Sequence, residues 1–325
     1  MLCWSSLVVA ERERKNTAEE TVDRSSQPRD RTRELGHALN SFARTVTTTS
    51  ELDDGRPSSS ATTTTGDSAG AQCLSATYVE MALAVAIPHI LANLQRHILE
   101  YPSRRPPPLF VAVQGPQGSG EFCFQYNLNR TDDICIRSGK TYLANHLRQT
   151  LSTPPHNVSV AVLSIDDLYL PHSGLEDVAA RHTHNRLLHG RGLPGTHDIA
   201  LGTRLLEQLT RINDEEANTA SLEIPSFDKS LYGGQGDRLP EGTLVSSPID
   251  VVIFEGWLVG FAPMIREDLE KKYGEEIPDL DGLLDIRSYS IEEIAEVNDK
   301  LKDYVAWWKF FDTFIQVSTR LFIHY

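Results

Sequence analysis

Hydrophobic and polar positions divide the chain at about residue 75. Before it, Ser, Thr, Arg, Asp and Glu dominate, with runs such as Thr47-Thr48-Thr49-Ser50 and Thr62 to Thr65. Large apolar residues are too sparse there to offset the entropy of ordering, so residues 1–75 are expected to form a disordered tail. From Thr77 the pattern changes. Val79, Met81, Ala82, Val85, Ile87, Ile90, Leu91 and Leu94 recur at helical spacing, which predicts a helix that stops before Pro102 and the linker Arg104-Arg105-Pro106-Pro107-Pro108.

Beyond the linker, short apolar runs alternate with longer segments of helical period. Strands are expected over Leu109–Val113, Val158–Ile165, Ser221–Ile224, Val251–Phe254 and Thr313–Gln316, and helices over Lys140–Leu151, Ile199–Arg211, Ile265–Tyr273 and Ile291–Phe310. This alternation is the signature of βαβ units around a mainly parallel sheet, so residues 76–325 are read as one α/β domain.

The first strand runs into Gly115-Pro116-Gln117-Gly118-Ser119-Gly120, and Ser138-Gly139-Lys140-Thr141 later opens a helical segment. Joining Gly120 to Lys140 produces a complete Walker A loop, G-x-x-x-x-G-K-[ST], between a strand and a helix. Its chemistry is specific. Gly115, Gly118, Ser119, Gly120 and Gly139 would let backbone N–H groups turn toward phosphates, Lys140 would reach the outer phosphates, and the Thr141 hydroxyl would hold magnesium. As the chain stands the loop is split, because Ile134 occupies the place where Gly139-Lys140 requires its first glycine. Residues 121–139 are therefore read as an insert, and specifically as an intron translated in frame. Gly120-Glu121 can be encoded by GGTGAG, which contains a donor-like GTGAG. Val317-Ser318 can be encoded by GTAAGT, so a C-terminal continuation past Gln316 is expected in the natural protein.

Ser164-Ile165-Asp166-Asp167-Leu168-Tyr169 stands at the end of the second strand, where open α/β sheets place their ligand crevice. A carboxylate there, Asp166, can orient a substrate hydroxyl and accept its proton. The alternative is an Asp-rich turn. Val251 to Phe254 is a buried-strand pattern ending in Glu255, which fits a Walker B acid near magnesium; a core strand ending on a solvated Glu is the plainer reading. Arg191-Gly192-Leu193-Pro194-Gly195-Thr196-His197-Asp198 and Phe227-Asp228-Lys229-Ser230 are loops dense in groups able to bind a polar or anionic substrate. Arg191, His197, Asp198 and Lys229 are the candidates, against the alternatives of a structural loop histidine and a solvated lysine.

Charge and cysteine usage narrow the field. A net charge of -14 argues against a general nucleic-acid binder. It leaves a nucleotide enzyme open, since magnesium and local cations can carry the nucleotide's charge. The four cysteines, Cys3, Cys73, Cys123 and Cys135, form no C-x-x-C pair, which fits free thiols in a reducing compartment: the cytoplasm, with the nucleus left open. Apolar runs fall short of the roughly 20 residues a bilayer span needs, so no membrane partner is expected. Met1 to Ala10 lacks a basic n-region and leads into Glu11-Arg12-Glu13-Arg14, unlike a signal peptide.

The ordered set R-G-L-P-G-T-H-D, F-D-K-S with Gly233-Gly234-Gln235-Gly236-Asp237-Arg238, and F-E-G-W resembles the glycerate-kinase-like P-loop kinases of plants and fungi, relatives of uridine kinase, phosphoribulokinase and pantothenate kinase. The likeness covers about Thr77 to Gln316. It implies a three-layer P-loop NTPase fold and ATP- and Mg2+-dependent phosphorylation of a small alcohol, with D-glycerate to 3-phosphoglycerate as the named possibility. It also implies Lys140 at the phosphates, Thr141 and Glu255 at the metal, Asp166 as catalytic base, and Arg191, His197, Asp198 and Lys229 at the acceptor. A nucleoside or pantothenate kinase stays open and would need an aromatic or apolar acceptor pocket. A nucleotide-binding regulator without turnover also stays open.

Overall fold

The computed structural model describes residues 8–11, 69–102, 104–115, 139–214, 221–275 and 286–317. By contacts the chain forms one unit from residues 1–12 with 73–325 and a second from 13–72. Every described strand belongs to the first unit.

In chain order, strand β1 (Val8–Glu11) is followed by helix α1 (Ala69–Leu99), β2 (Leu109–Gln114), α2 (Gly139–Ser152) and β3 (Val160–Ser164). A 3-10 turn (Ile165–Leu168) leads to α3 (His172–Arg181), and a second (Arg186–Leu188) to α4 (Ile199–Thr210). Then come β4 (Ser221–Ile224), β5 (Phe227–Asp228), β6 (Asp237–Arg238), β7 (Thr243–Ser246) and β8 (Val251–Gly256). The last elements are α5 (Arg266–Gly274), α6 (Ile291–Lys300), a 3-10 turn (Leu301–Asp303), α7 (Val305–Trp308) and β9 (Thr313–Gln316).

The main sheet has the order β1-β9-β2-β8-β3, parallel throughout except for β1, which runs antiparallel to β9. Its central strands are buried on both faces, and their side chains alternate between two cores. Phe110, Ala112, Val252, Phe254 and Leu163 join α4 and α7 on one face. Leu109, Val111, Val251 and Ile253 join α1 and α2 on the other. That is why these strands read as continuous apolar runs instead of alternating ones. The result is the three-layer architecture expected. Strand starts are pinned by aspartates: Asp312 Oδ2 accepts from Phe110 N at 3.0 Å and Asp250 Oδ2 from Ser159 N at 2.8 Å.

Three expectations need correction. Ser221–Ile224 is a strand, but it pairs antiparallel with β7 in a separate two-stranded sheet. Two exposed polar residues, Ser221 and Glu223, leave it without the two apolar faces a place in the main sheet would demand. The single helix expected over Ile291–Phe310 is instead α6, a 3-10 turn and α7. The buried residues Leu301, Tyr304 and Trp307 are three apart, and tightening the helix toward three residues per turn keeps all of them on one side. Finally, Val8–Glu11, within the stretch read as a disordered tail, is described as a strand, and α1 starts at Ala69, ahead of Thr77. The rest of that stretch, most of the insert at 121–139 and residues 318–325 lie outside the described residues.

Packing of α4 against α7 is tight at one position. A Cβ on Gly202 would lie 2.2 Å from Cζ2 of the fully buried Trp307, whose Nε1 donates to Thr203 Oγ1 at 3.0 Å. Gly202→Ala is expected to destabilise the fold by about 1–3 kcal/mol through overpacking, read as a lower urea midpoint. An unchanged midpoint would mean that the α4–α7 contact is looser than described.

Candidate active site

Parallel register brings three strand ends to one edge. Val113 of β2 lies opposite Glu255 of β8, and Glu255 lies opposite Ser164 of β3. Gly115, buried, leaves β2 at this edge, and α2 begins at Gly139 with Thr141 in its first turn. The Thr141 hydroxyl donates to Glu255 Oε1 at 2.9 Å. Glu255 is only 2% exposed, and a buried carboxylate requires such partners. The helix start adds the partial positive charge of its free N–H groups to the same edge. Gly118, Ser119, Gly120 and the side chain of Lys140 lie outside the described residues.

At the end of β3 the chain tightens into the 3-10 turn, capped by Ser164 Oγ accepting from Asp166 N at 3.3 Å. The two aspartates then part. Asp166 Oδ2 pairs with Lys229 Nζ at 2.5 Å, and Oδ1 accepts from the Tyr169 hydroxyl at 3.2 Å. Asp167 Oδ1 accepts from Phe227 N at 3.0 Å. Asp167 also lines a cleft of about 470 Å3 together with Thr141, Arg148, Ser164 and Glu255. Burial pushes its carboxyl up to about 6; the Phe227 N–H opposes the rise, the nearby charges of Asp166 and Glu255 add to it, and Lys229 opposes it. Asp166, Asp167, Glu255 and Lys229 thus share one electrostatic neighbourhood.

The segment Arg191–Asp198 is strapped to this turn by main-chain bonds. Leu170 N donates to Thr196 O at 3.0 Å and Asp198 N to Leu168 O at 2.7 Å, and Tyr169 bridges to His197. Gly195 takes a φ of +98° with the Lys300 side chain packed against it, a conformation most side chains resist. His197 is 4% exposed; its ring stacks on Tyr169 at 4.3 Å and its Nδ1 bonds the Tyr304 hydroxyl at 2.7 Å. Burial holds that imidazole down to about 3 and hence neutral. Asp198 caps α4 through Oδ1, accepting from Leu201 N at 2.9 Å, while its Oδ2 pairs with Arg238 at 3.3 Å. Arg238 also donates to Tyr169 O at 2.7 Å. Arg191 donates to the carbonyls of Gly234 and Gln235.

The structure therefore gathers Thr141 with Glu255, and Asp166 with Lys229, at the strand ends. His197 and Asp198 are engaged inside the protein, and Arg191 holds the glycine turn. Tyr169, Asp167 and Arg238 belong to segments singled out in the sequence without being chosen individually. Tyr304 carried no signal, because only the folded chain brings it to His197.

No family model matches the chain. Among curated proteins, the probable ATP-dependent kinase TDA10 of Saccharomyces cerevisiae is 36% identical over 159 residues, 49% of this chain and 48% of that one. The uncharacterized kinase mug58 of Schizosaccharomyces pombe is 33% identical over 186 residues, 56% of each. The chloroplastic D-glycerate 3-kinase of Arabidopsis thaliana is 28% identical over 203 residues, 62% of this chain and 37% of that one. The chain spans about half the length, or less, of these curated relatives. A solved D-glycerate 3-kinase from Cryptococcus neoformans is 32% identical, with a TM-score of 0.58, covering 75% of this chain and 72% of that one.

The raised Asp167 carboxyl has a definite pH consequence. With its folded value near 6 against an ordinary 3.8, the native state holds the extra proton between them, so this group's contribution to stability falls as pH rises from about 4 to 6. His197, with its folded value lowered, acts in the opposite sense between about 3 and 6.5, so variant and parent must be compared. Asp167→Asn is expected to gain stability relative to the parent as pH rises across that window, by at most about 3 kcal/mol. Parallel pH-stability curves for the two proteins would contradict it.

Proposed function

The chain belongs to the glycerate-kinase-like family of P-loop kinases, and from that premise we propose that it transfers the γ-phosphoryl group of ATP to a hydroxyl of a small hydroxy acid, D-glycerate being the first candidate. The observation that carries the reading is the contact between the Thr141 hydroxyl and the buried Glu255 carboxylate, in a cleft that also contains Asp167. A hydroxyl and a carboxylate are hard oxygen donors and suit Mg2+ with its retained waters. ATP and Mg2+, when bound, supply the phosphoryl group and spread the charge that builds during its transfer.

The chain's own residues divide the remaining work. Lys140, with the N–H groups of the glycine segments and of the α2 start, holds phosphate oxygens. Thr141 and Glu255 hold the metal. Asp166 orients the acceptor hydroxyl and takes its proton onto a carboxylate oxygen. Lys229, side chain 52% exposed and paired with Asp166, is the cation proposed to meet an acceptor carboxylate, with Arg191, which holds the Gly234–Gln235 turn and lies over the Phe227 ring, as a second candidate. His197 and Asp198 act as positioning residues: the first holds Tyr169 and Tyr304, the second holds α4 and Arg238. D-glycerate is favoured by the two relatives named D-glycerate 3-kinase and by these cations, which suit a carboxylate better than a nucleobase.

The test is ADP release with ATP and D-glycerate, run on the full chain and on a chain in which Gly120 is joined directly to Lys140. Lys140→Ala is expected to abolish turnover. Asp166→Asn should leave ATP affinity unchanged and lower turnover by about 10^2–10^4-fold. Comparable turnover in Asp166→Asn would remove it as the base. ADP release indifferent to the acceptor would favour the nucleotide-binding regulator, and preference for uridine or pantothenate would move the substrate assignment.

A further inference from the structure

Away from the strand ends, His182, His184 and Glu296 bring two imidazole nitrogens and a carboxylate within 4.8 Å of one another. His182 Nδ1 lies 2.6 Å from Glu296 Oε1, and His184 Nε2 lies 3.2 Å from Glu296 Oε2. From this geometry we infer a binding site for a borderline divalent metal ion, Zn2+ or a close analogue such as Co2+, that ties the segment after α3 to α6.

Two features distinguish the cluster from a chance pair of surface ion pairs. The first is its donor set. Two imidazoles and one carboxylate match Zn2+ chemistry and leave a fourth position for water, whereas Mg2+ and Ca2+ prefer all-oxygen shells. Ligand atoms around a tetrahedral ion with bonds of about 2.0–2.2 Å stand roughly 3.4 Å apart. Reaching that spacing requires His182 and Glu296, now 2.6 Å apart, to separate by somewhat less than about 1 Å and the imidazole of His184, whose side chain is 69% exposed, to adjust its position. The second is the support beneath it. Asn185, fully buried, donates to Glu296 Oε2 at 2.8 Å and to Glu293 O at 3.0 Å, while its own Oδ1 accepts from Leu187 N at 3.1 Å. The carboxylate is thereby fixed from behind, as outer-shell donors fix metal ligands. His182 closes α3 as its C-cap, so its main chain is held as well. A net charge of -14 favours any cation at the surface, but only the imidazoles select for transition metals.

The consequence is mechanical. α6 continues into Tyr304, which bonds His197 and Gly195 N, so a metal here would clamp α6 onto the half of the molecule that carries Arg191–Asp198. The experiment uses the full chain freed of metal with a chelator, then titrated with Zn2+ in competition with a chromophoric chelator, and with Co2+ as a spectroscopic probe. The expected result is a site whose Zn2+ affinity falls by more than about tenfold in His184→Ala, together with a rise in melting temperature with Zn2+ but not with Mg2+, lost in the same variant. Co2+ bound there should show weak visible bands without the strong near-ultraviolet absorption of thiolate ligation. His184 is exposed, so its replacement leaves the fold intact; Glu296→Gln provides the second removal of a ligand. Zn2+ binding equal in parent, His184→Ala and Glu296→Gln would overturn the inference, as would thiolate-type Co2+ spectra or no binding at all.

Discussion

Glu255 sets the constraint around which the strand ends are arranged. It closes a strand buried on both faces, between β2 and β3, and almost none of its surface reaches solvent. A carboxylate in that position loses its hydration and must recover it from fixed donors. Thr141 is one, and it can serve only because α2 starts at the same edge of the sheet. The parallel register does the rest, since aligning Val113, Glu255 and Ser164 brings the end of β2, the acid of β8 and the aspartates after β3 to one side. A divalent cation held beside it would offset this buried negative charge.

The region around Asp166 and Lys229 is organised on a different principle. Asp166 and Lys229 neutralise each other in the open, where their contact contributes little to stability because water screens it. Around them, stacked rings, hydrogen bonds and one further ion pair fix the backbone: Tyr169 against His197, His197 to Tyr304, and Arg238 to both Asp198 and the Tyr169 carbonyl. The Lys229 side chain, 52% exposed, stays in contact with solvent, whereas His197 is shut away from it. A site built this way keeps its geometry while its charges remain available.

Tyr304 connects this layer to α6. Its ring packs on Trp307 and its hydroxyl meets both His197 and the Gly195 N–H, while Lys300 covers Gly195 from the same segment. The turn from α6 to α7 therefore holds the Arg191–Asp198 loop from behind, and a tie between α6 and the end of α3 would act on the same loop through that contact.

Much of this was legible in the amino-acid sequence. The apolar runs of β2 and β8 announced buried parallel strands because burial on both faces leaves no room for polar alternation. Thr141, the Asp166-Asp167 pair and Glu255 could be singled out because phosphate and metal chemistry would need those residue types at strand and helix ends, and the structure places them at such ends. Other features could not be read there, since they depend on which distant segments meet. The sequence could not say that Ser221–Ile224 leaves the main sheet for a hairpin partner, that the last helix breaks to bury Leu301, Tyr304 and Trp307 together, or that His197 turns inward while Lys229 turns toward Asp166. Periodicity and motif are local properties of the chain; the partner of a buried polar group is decided only when tertiary packing has chosen its neighbours.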